Sequence, residues 1–122
     1  MTLERIDEFF DDFSNAVERL REALNGDFSL TSLVVDGTIQ RFEFTFELSW
    51  KLANAILENN NVFARWPRMV IKEAFKFGLI KEGQGWLEML EDRNKTSHIY
   101  DEKQALGIYE RIKNKHLNFL IN

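Results

Sequence analysis

The chain has 122 residues, with 44% hydrophobic and 30% charged, which is one domain's worth of sequence (residues 1–122) and enough for a real core. Its formal charge of −4 argues against a passive nucleic-acid binder, which neutralises phosphates with a basic surface, so any nucleic-acid chemistry has to come from a local patch. Cysteine is absent, which excludes disulfides and thiolate zinc sites, and there is neither a membrane-length apolar run nor an export signal; the expectation is a cytoplasmic protein with no membrane role.

Helical spacing dominates. Leu3, Ile6, Phe10, Phe13, Val17, Leu20 and Leu24 recur in steps of three and four, the stripe of an amphipathic helix that Asn25-Gly26 ends. A second helix is expected over 32–59. It carries two apolar stripes, one with Ile39, Phe42, Phe46 and Ala53, the other with Phe44, Leu48, Leu52 and Ala55. A helix apolar on two faces is central to its bundle or shared with a second subunit. Glu47 and Lys51 make an i,i+4 pair on it.

Pro67 suits the first turn of a third helix, and Gly78 suits its left-handed C-terminal cap. Glu82-Gly83-Gln84-Gly85 reads as a turn, since it lacks the strand context and Lys-Ser/Thr of a phosphate loop. A short fourth helix with Trp86, Leu87, Met89 and Leu90 should end near Arg93 or Asn94. Asp101, with Gln104 completing a capping box, opens a fifth whose apolar positions are Ala105, Ile108, Ile112, Leu117 and Phe119. The fold class is therefore all-α, an antiparallel four- or five-helix bundle with short connections. His116, beside Lys115 near the end of the fifth helix, reads as a cation favouring the helix dipole.

The segment between the last two helices, Arg93-Asn94-Lys95-Thr96-Ser97-His98-Ile99-Tyr100, has the residue types of phosphodiester chemistry. An arginine fork holds a phosphate at two points, and a histidine moves protons near neutral pH. Metal-free RNA cleavage needs little more: the 2′-OH loses a proton, attacks the adjacent phosphorus and expels the 5′-oxygen. Geometry sets a condition. Five residues apart on one continuous helix, Arg93 and His98 would point about 140° away from each other. They meet only if the helix ends between them or if two copies face each other. A lone Arg and His near a helix end are otherwise a surface cap and a solvated base. Asp92, His98 and Asp101 lack the second nearby histidine of a persuasive metal site, and no metal is expected. The cations Arg65, Arg68, Lys72 and Lys76 recur every three or four residues, either as a solvated face or as an RNA-tracking surface.

Arg93, His98 and Tyr100 satisfy the pattern R-x4-H-x-Y, and around it stand RFEFTFELSWK (41–51), PRMVIKEAFKFGLI (67–80) and WLEMLEDRNKTSHIYD (86–101). In these ordered blocks, in effect residues 37 to 112, the chain resembles the HEPN superfamily, in particular the nucleotidyltransferase substrate-binding proteins. Trp66, where a small capping residue would be usual, is a departure outside the motif. The resemblance implies a homodimeric bundle whose two motifs face one cleft. It further implies a metal-independent ribonuclease toxin of a toxin–antitoxin pair, neutralised when a partner minimal nucleotidyltransferase AMPylates the motif tyrosine. Carried over, Arg93 binds phosphate, Asn94 orients, His98 is the general base or acid, and Tyr100 is the modification site. Lys95, Arg68 and Lys72 are candidate RNA or nucleotide contacts, and no cofactor is implied. The alternative is a non-catalytic nucleotide- or substrate-binding subunit of a two-component nucleotidyltransferase. A blander one is a dimeric scaffold with a vestigial motif.

Overall fold

A computed structural model describes residues 3–26, 31–98 and 101–121. Among the described residues every regular element is helical: α1 (Leu3–Asn25), α2 (Ser32–Asn59), α3 (Pro67–Phe77), α4 (Gly83–Lys95), a 3₁₀ turn (Thr96–His98), α5 (Glu102–Arg111), a π turn (Ile112–His116) and α6 (Leu117–Ile121). The caps follow from local chemistry. The Thr31 hydroxyl accepts from the Val34 N–H at 3.3 Å, and the Asp101 carboxylate accepts from the Gln104 N–H at 2.8 Å. Pro67 opens α3, and Gly78, at φ 93°, closes it in a conformation that costs other residues energy. Trp66 caps α3 with backbone alone, as a side chain with no short acceptor must.

α2 is the centre of the bundle. Phe42 and Phe46 are fully buried, packed among Leu20 of α1, Met89 of α4, Ile108 of α5 and Ile112 of the π turn. Its far end, Leu57, forms a smaller cluster with Val70 and Ala74 of α3. The second stripe of α2 thus divides: Leu52 and Ala55 are buried, whereas Phe44 stands exposed. The stripe on α1 divides too. Leu20 and Leu24 are buried and Phe13 and Val17 pack on the core, but Leu3 and Phe10 are exposed. Buried threonines on α2 satisfy themselves within the helix, Thr38 donating to the Val34 carbonyl at 2.8 Å and Thr45 to the Arg41 carbonyl at 2.7 Å.

Two expectations need correction. Gly83, Gln84 and Gly85 are not a turn; they are the first residues of α4. Gly85 is there because the Phe119 ring packs against its backbone, and a Cβ would lie 2.5 Å from that ring. The fifth helix is also not uniform. Leu117 follows Ile112 by five residues, a step that on a plain α-helix would turn it about 140° away. The π turn removes the mismatch: the Leu117 N–H reaches the Ile112 carbonyl, and Ile112, His116, Leu117 and Leu120 all share the buried face.

Gly85→Ala should destabilise the fold by about 1–3 kcal/mol through overpacking against Phe119. Urea unfolding measures this, and a midpoint equal to wild type would show that the ring yields freely.

Candidate functional site

The end of α4 is fixed by a buried carboxylate. Asp92 accepts two hydrogen bonds from the Arg111 guanidinium, from Nε at 2.7 Å and from the terminal nitrogen at 2.9 Å, and a third from His116 Nε2 at 2.7 Å. Burial alone would push the Asp92 carboxyl up, but the hydrogen bonds from His116 and Arg111, with their charge, outweigh it and hold it at about 2. A carboxylate of that acidity is ionised and can only accept, so His116 Nε2 carries the proton. The imidazole is buried, stacked on Phe42 with centroids 5.5 Å apart, and among the described residues its Nδ1 has no hydrogen-bond partner. No substrate reaches it, so the histidine is structural. It is not, however, a surface cation at a helix end; the π turn points it into the core. Lys115, beside it, pairs with Glu88 of α4.

The next residue, Arg93, turns towards α2. Its two terminal nitrogens lie 3.6 Å from Glu43 and 3.7 Å from Glu47, and one of them donates to the Thr96 hydroxyl at 3.3 Å. Its Nε is buried without a hydrogen-bond partner among the described residues. The Thr96 hydroxyl donates in turn to the Arg93 carbonyl at 2.6 Å, which closes the last turn of the helix. Glu47 faces Arg93; among the described residues no ion pair joins it to Lys51. The ion pairs are longer than hydrogen bonds, and the Arg93 side chain remains 24% exposed.

α4 runs to Lys95, a residue or two beyond the expected end, and then tightens into the 3₁₀ turn without reversing. The α-helix does end between Arg93 and His98, yet this does not bring them together. With 3.6 and then 3.0 residues per turn they project to roughly opposite sides of the chain, and no hydrogen bond joins them among the described residues. His98 is exposed, as are Asn94 and Lys95. Arg68 and Lys72 are exposed on α3. Tyr100 lies outside the described residues. Among these, no group of three or more His, Cys, Asp or Glu is placed to hold a metal ion, and no helix is long and apolar enough to cross a membrane.

Five residues escaped the sequence reading: Asp92, Arg111 and His116 as one buried network, and Glu43 and Glu47 as the carboxylates beside Arg93. The latter two had a signal, since they place charge at i,i+4 within an aromatic block.

The bundle, with its arginine and histidine around the end of α4, is that of a known class. The model of the family described as nucleotidyltransferase substrate binding protein like matches residues 8–121, and the chain belongs to that family. A crystal structure from Thermus thermophilus is 31% identical with a TM-score of 0.79, covering 89% of this chain and 95% of that one. A Haemophilus influenzae structure described as the fold of a substrate binding domain of a nucleotidyltransferase is 28% identical with a TM-score of 0.68, covering 98% and 94%. Among curated proteins, a probable ribonuclease HepT of Haemophilus influenzae is 34% identical over 84 residues, 65% of this chain and 58% of that protein, so the match spans under two thirds of that relative's length.

The Asp92 network yields a test in pH. Its folded value of about 2 lies below the ordinary 3.8, so the stabilisation is fully present above about pH 4 and is lost as the pH falls through 2. The shift corresponds to about 2 kcal/mol. Asp92→Asn should unfold more easily than wild type in urea at pH 7, and the two should converge near pH 2. A gap that stays constant with pH would show that Asp92 contributes by shape alone.

Proposed function

We propose that this chain is a HEPN-type, metal-independent ribonuclease, the toxin of a toxin–antitoxin pair, in which a partner minimal nucleotidyltransferase AMPylates Tyr100. The observation that carries this reading is the exposed His98 set just beyond a partly exposed arginine whose terminal nitrogens are held between Glu43, Glu47 and the Thr96 hydroxyl. His98 takes the proton of an RNA 2′-OH, the oxygen attacks the neighbouring phosphorus, and the 5′-oxygen leaves with a proton returned to it. Arg93 offsets the charge gathered on the phosphoryl oxygens. Asn94 orients the phosphate, and Lys95, Arg68 and Lys72 hold flanking RNA. An AMP on Tyr100, two residues from His98, adds phosphate charge and bulk beside the base. Because Arg93 and His98 project apart on one chain, the reading takes the working site to be shared by two copies in a homodimer. Exposed Phe44, Phe10 and Leu33 offer apolar surface for such an association.

A second reading has a specific observation of its own. Glu43 and Glu47 set two negative charges beside Arg93, which disfavours phosphate there. A non-catalytic substrate-binding subunit of a two-component nucleotidyltransferase would tolerate that, and it matches the family's description.

Purified protein should cleave RNA in EDTA, and His98→Ala should slow it by about 10²–10⁴-fold. Cleavage unaffected by that substitution would sink the ribonuclease reading. No cleavage by wild type, together with stable co-purification with a nucleotidyltransferase, would favour the second. After co-expression with the partner, intact mass should show an AMP-sized increment that Tyr100→Phe removes.

A further inference from the structure

One glycine has no explanation within its own chain. Gly37 sits in the interior of α2, where glycine weakens a helix, yet its φ is not positive. A Cβ there would meet nothing within 4 Å among the described residues, so no packed neighbour calls for the missing side chain. Gly83 and Gly85 differ, since rings of the same chain lie against them. Beside Gly37 an open groove of about 300 Å³ runs between α1 and α2, lined by Ala16, Arg19, Gly37, Gln40, Arg41 and Phe44. Arg41 donates to the Arg19 carbonyl at 2.7 Å and so fixes one wall.

Phe44, at the rim of the groove, is 61% exposed, and Leu33, one turn before Gly37, is 81% exposed. Leu33, Gly37, Gln40, Phe44 and Leu48 follow one another in steps of four, three, four and four, which keeps them within about 80° around α2. This face carries both a projection, the Phe44 ring, and a hollow at Gly37, about 10 Å apart along the helix. Turned end for end against a copy of itself, it fits: position 44 meets 37, 33 meets 48 and 40 meets 41, each twice. Leucine then lies on leucine, and Asp36 comes within one turn of Arg41 of the second copy. Asp36, Arg19 and Arg41 join no ion pair among the described residues of their own chain. The groove has room for the ring, since a cavity of about 150 Å³ already holds benzene.

We propose that a second copy of this chain docks on this face, α2 antiparallel to α2, with the Phe44 ring of each copy in the Gly37 groove of the other. The docking deepens the shared-site ribonuclease reading and rests on it. Self-complementarity favours a second copy over an unrelated partner, because one register satisfies the ring, the leucines and the charges together. The register also places the motif. Thr45 donates to the Ala16 carbonyl at 3.2 Å, so α1 lies on one flank of the face, while Arg93 approaches Glu43 and Glu47 on the other. The two-fold axis is perpendicular to the paired helices and keeps each flank on its own side. Both Arg93 residues therefore open onto the same side of the pair, offset by about nine residues of helix, or ~14 Å. Two motifs on one side are what an Arg93 of one copy and a His98 of the other require.

Sedimentation of the full-length protein across a concentration series reads the association. Wild type should be a dimer. Gly37→Leu, which fills the groove without meeting its own chain, should sediment as a monomer with its helical circular dichroism retained. Phe44→Ala should raise the dimer Kd by at least about thirtyfold, since each dimer loses two buried rings. The chain has no cysteine, so Gln40→Cys carries a single thiol, beside the two-fold axis. A short bismaleimide should link two such chains and should not link Lys72→Cys chains. A wild type that stays monomeric, or a dimer that Gly37→Leu and Phe44→Ala leave intact, overturns the interface. If Gly37→Leu leaves the dimer intact but abolishes binding of the nucleotidyltransferase, the groove seats that protein and the proposal falls. If the dimer cleaves RNA and the monomeric variants do not, the interface and the shared site both hold. If the monomeric variants cleave as well as wild type, the interface holds and the shared-site reading fails.

Discussion

A carboxylate inside a helical bundle is met by positive charge and donors, because leaving it ionised and unpaired costs about 3–5 kcal/mol, a large share of a fold's stability. Asp92 is met by Arg111 from α5 and His116 from the π turn, so one side chain of α4 is tied to two consecutive elements. The rest of the site depends on this tie. It sets the rotation of α4 at its last turn, and the next residue, Arg93, is thereby delivered to the α2 carboxylates Glu43 and Glu47. The Thr96 hydroxyl then closes the helix on the Arg93 carbonyl and leads the chain out to His98. His116 is held there by its hydrogen bond to Asp92 and by its stack on Phe42.

The same five-residue step occurs twice, with opposite outcomes. From Ile112 to Leu117 the helix widens into a π turn, and the two side chains share the core face. From Arg93 to His98 it narrows into a 3₁₀ turn, and the two side chains part. The first step is driven by burial, since Leu117 and Leu120 would otherwise leave the core. The second has no apolar side chain to bury, so local hydrogen bonding decides and the polar groups face solvent.

Much of the bundle was legible because its signals are local. Ser32–Asn59, the Pro67 start, the Gly78 stop and the Asp101–Gln104 cap each rest on the chemistry of a few adjacent residues. What stayed hidden required knowing which helix lies across from which. Gly85 looks like a turn residue until Phe119 is seen against it. Asp92 and His116 are 24 residues apart, and nothing adjacent to either marks it as buried. Glu47 had a plausible neighbour in Lys51, and only the packing of α4 on α2 gives it Arg93 instead. Arg93 and His98 were identifiable from their pattern, and the sequence left open whether a helix end between them would bring them together; the 3₁₀ turn that follows α4 does not.

That separation is why the proposed function pairs Arg93 of one copy with His98 of another. Complementation tests it most directly. Arg93→Ala and His98→Ala proteins, each inactive alone, are mixed, unfolded and refolded together, and RNA cleavage is measured. If the site is shared between copies, half of the dimers are mixed and each carries one intact site, so activity should return to about a quarter of wild type. If Arg93 and His98 of the same chain act together, no mixed dimer holds an intact pair, and the mixture staying as inactive as its components would contradict the account.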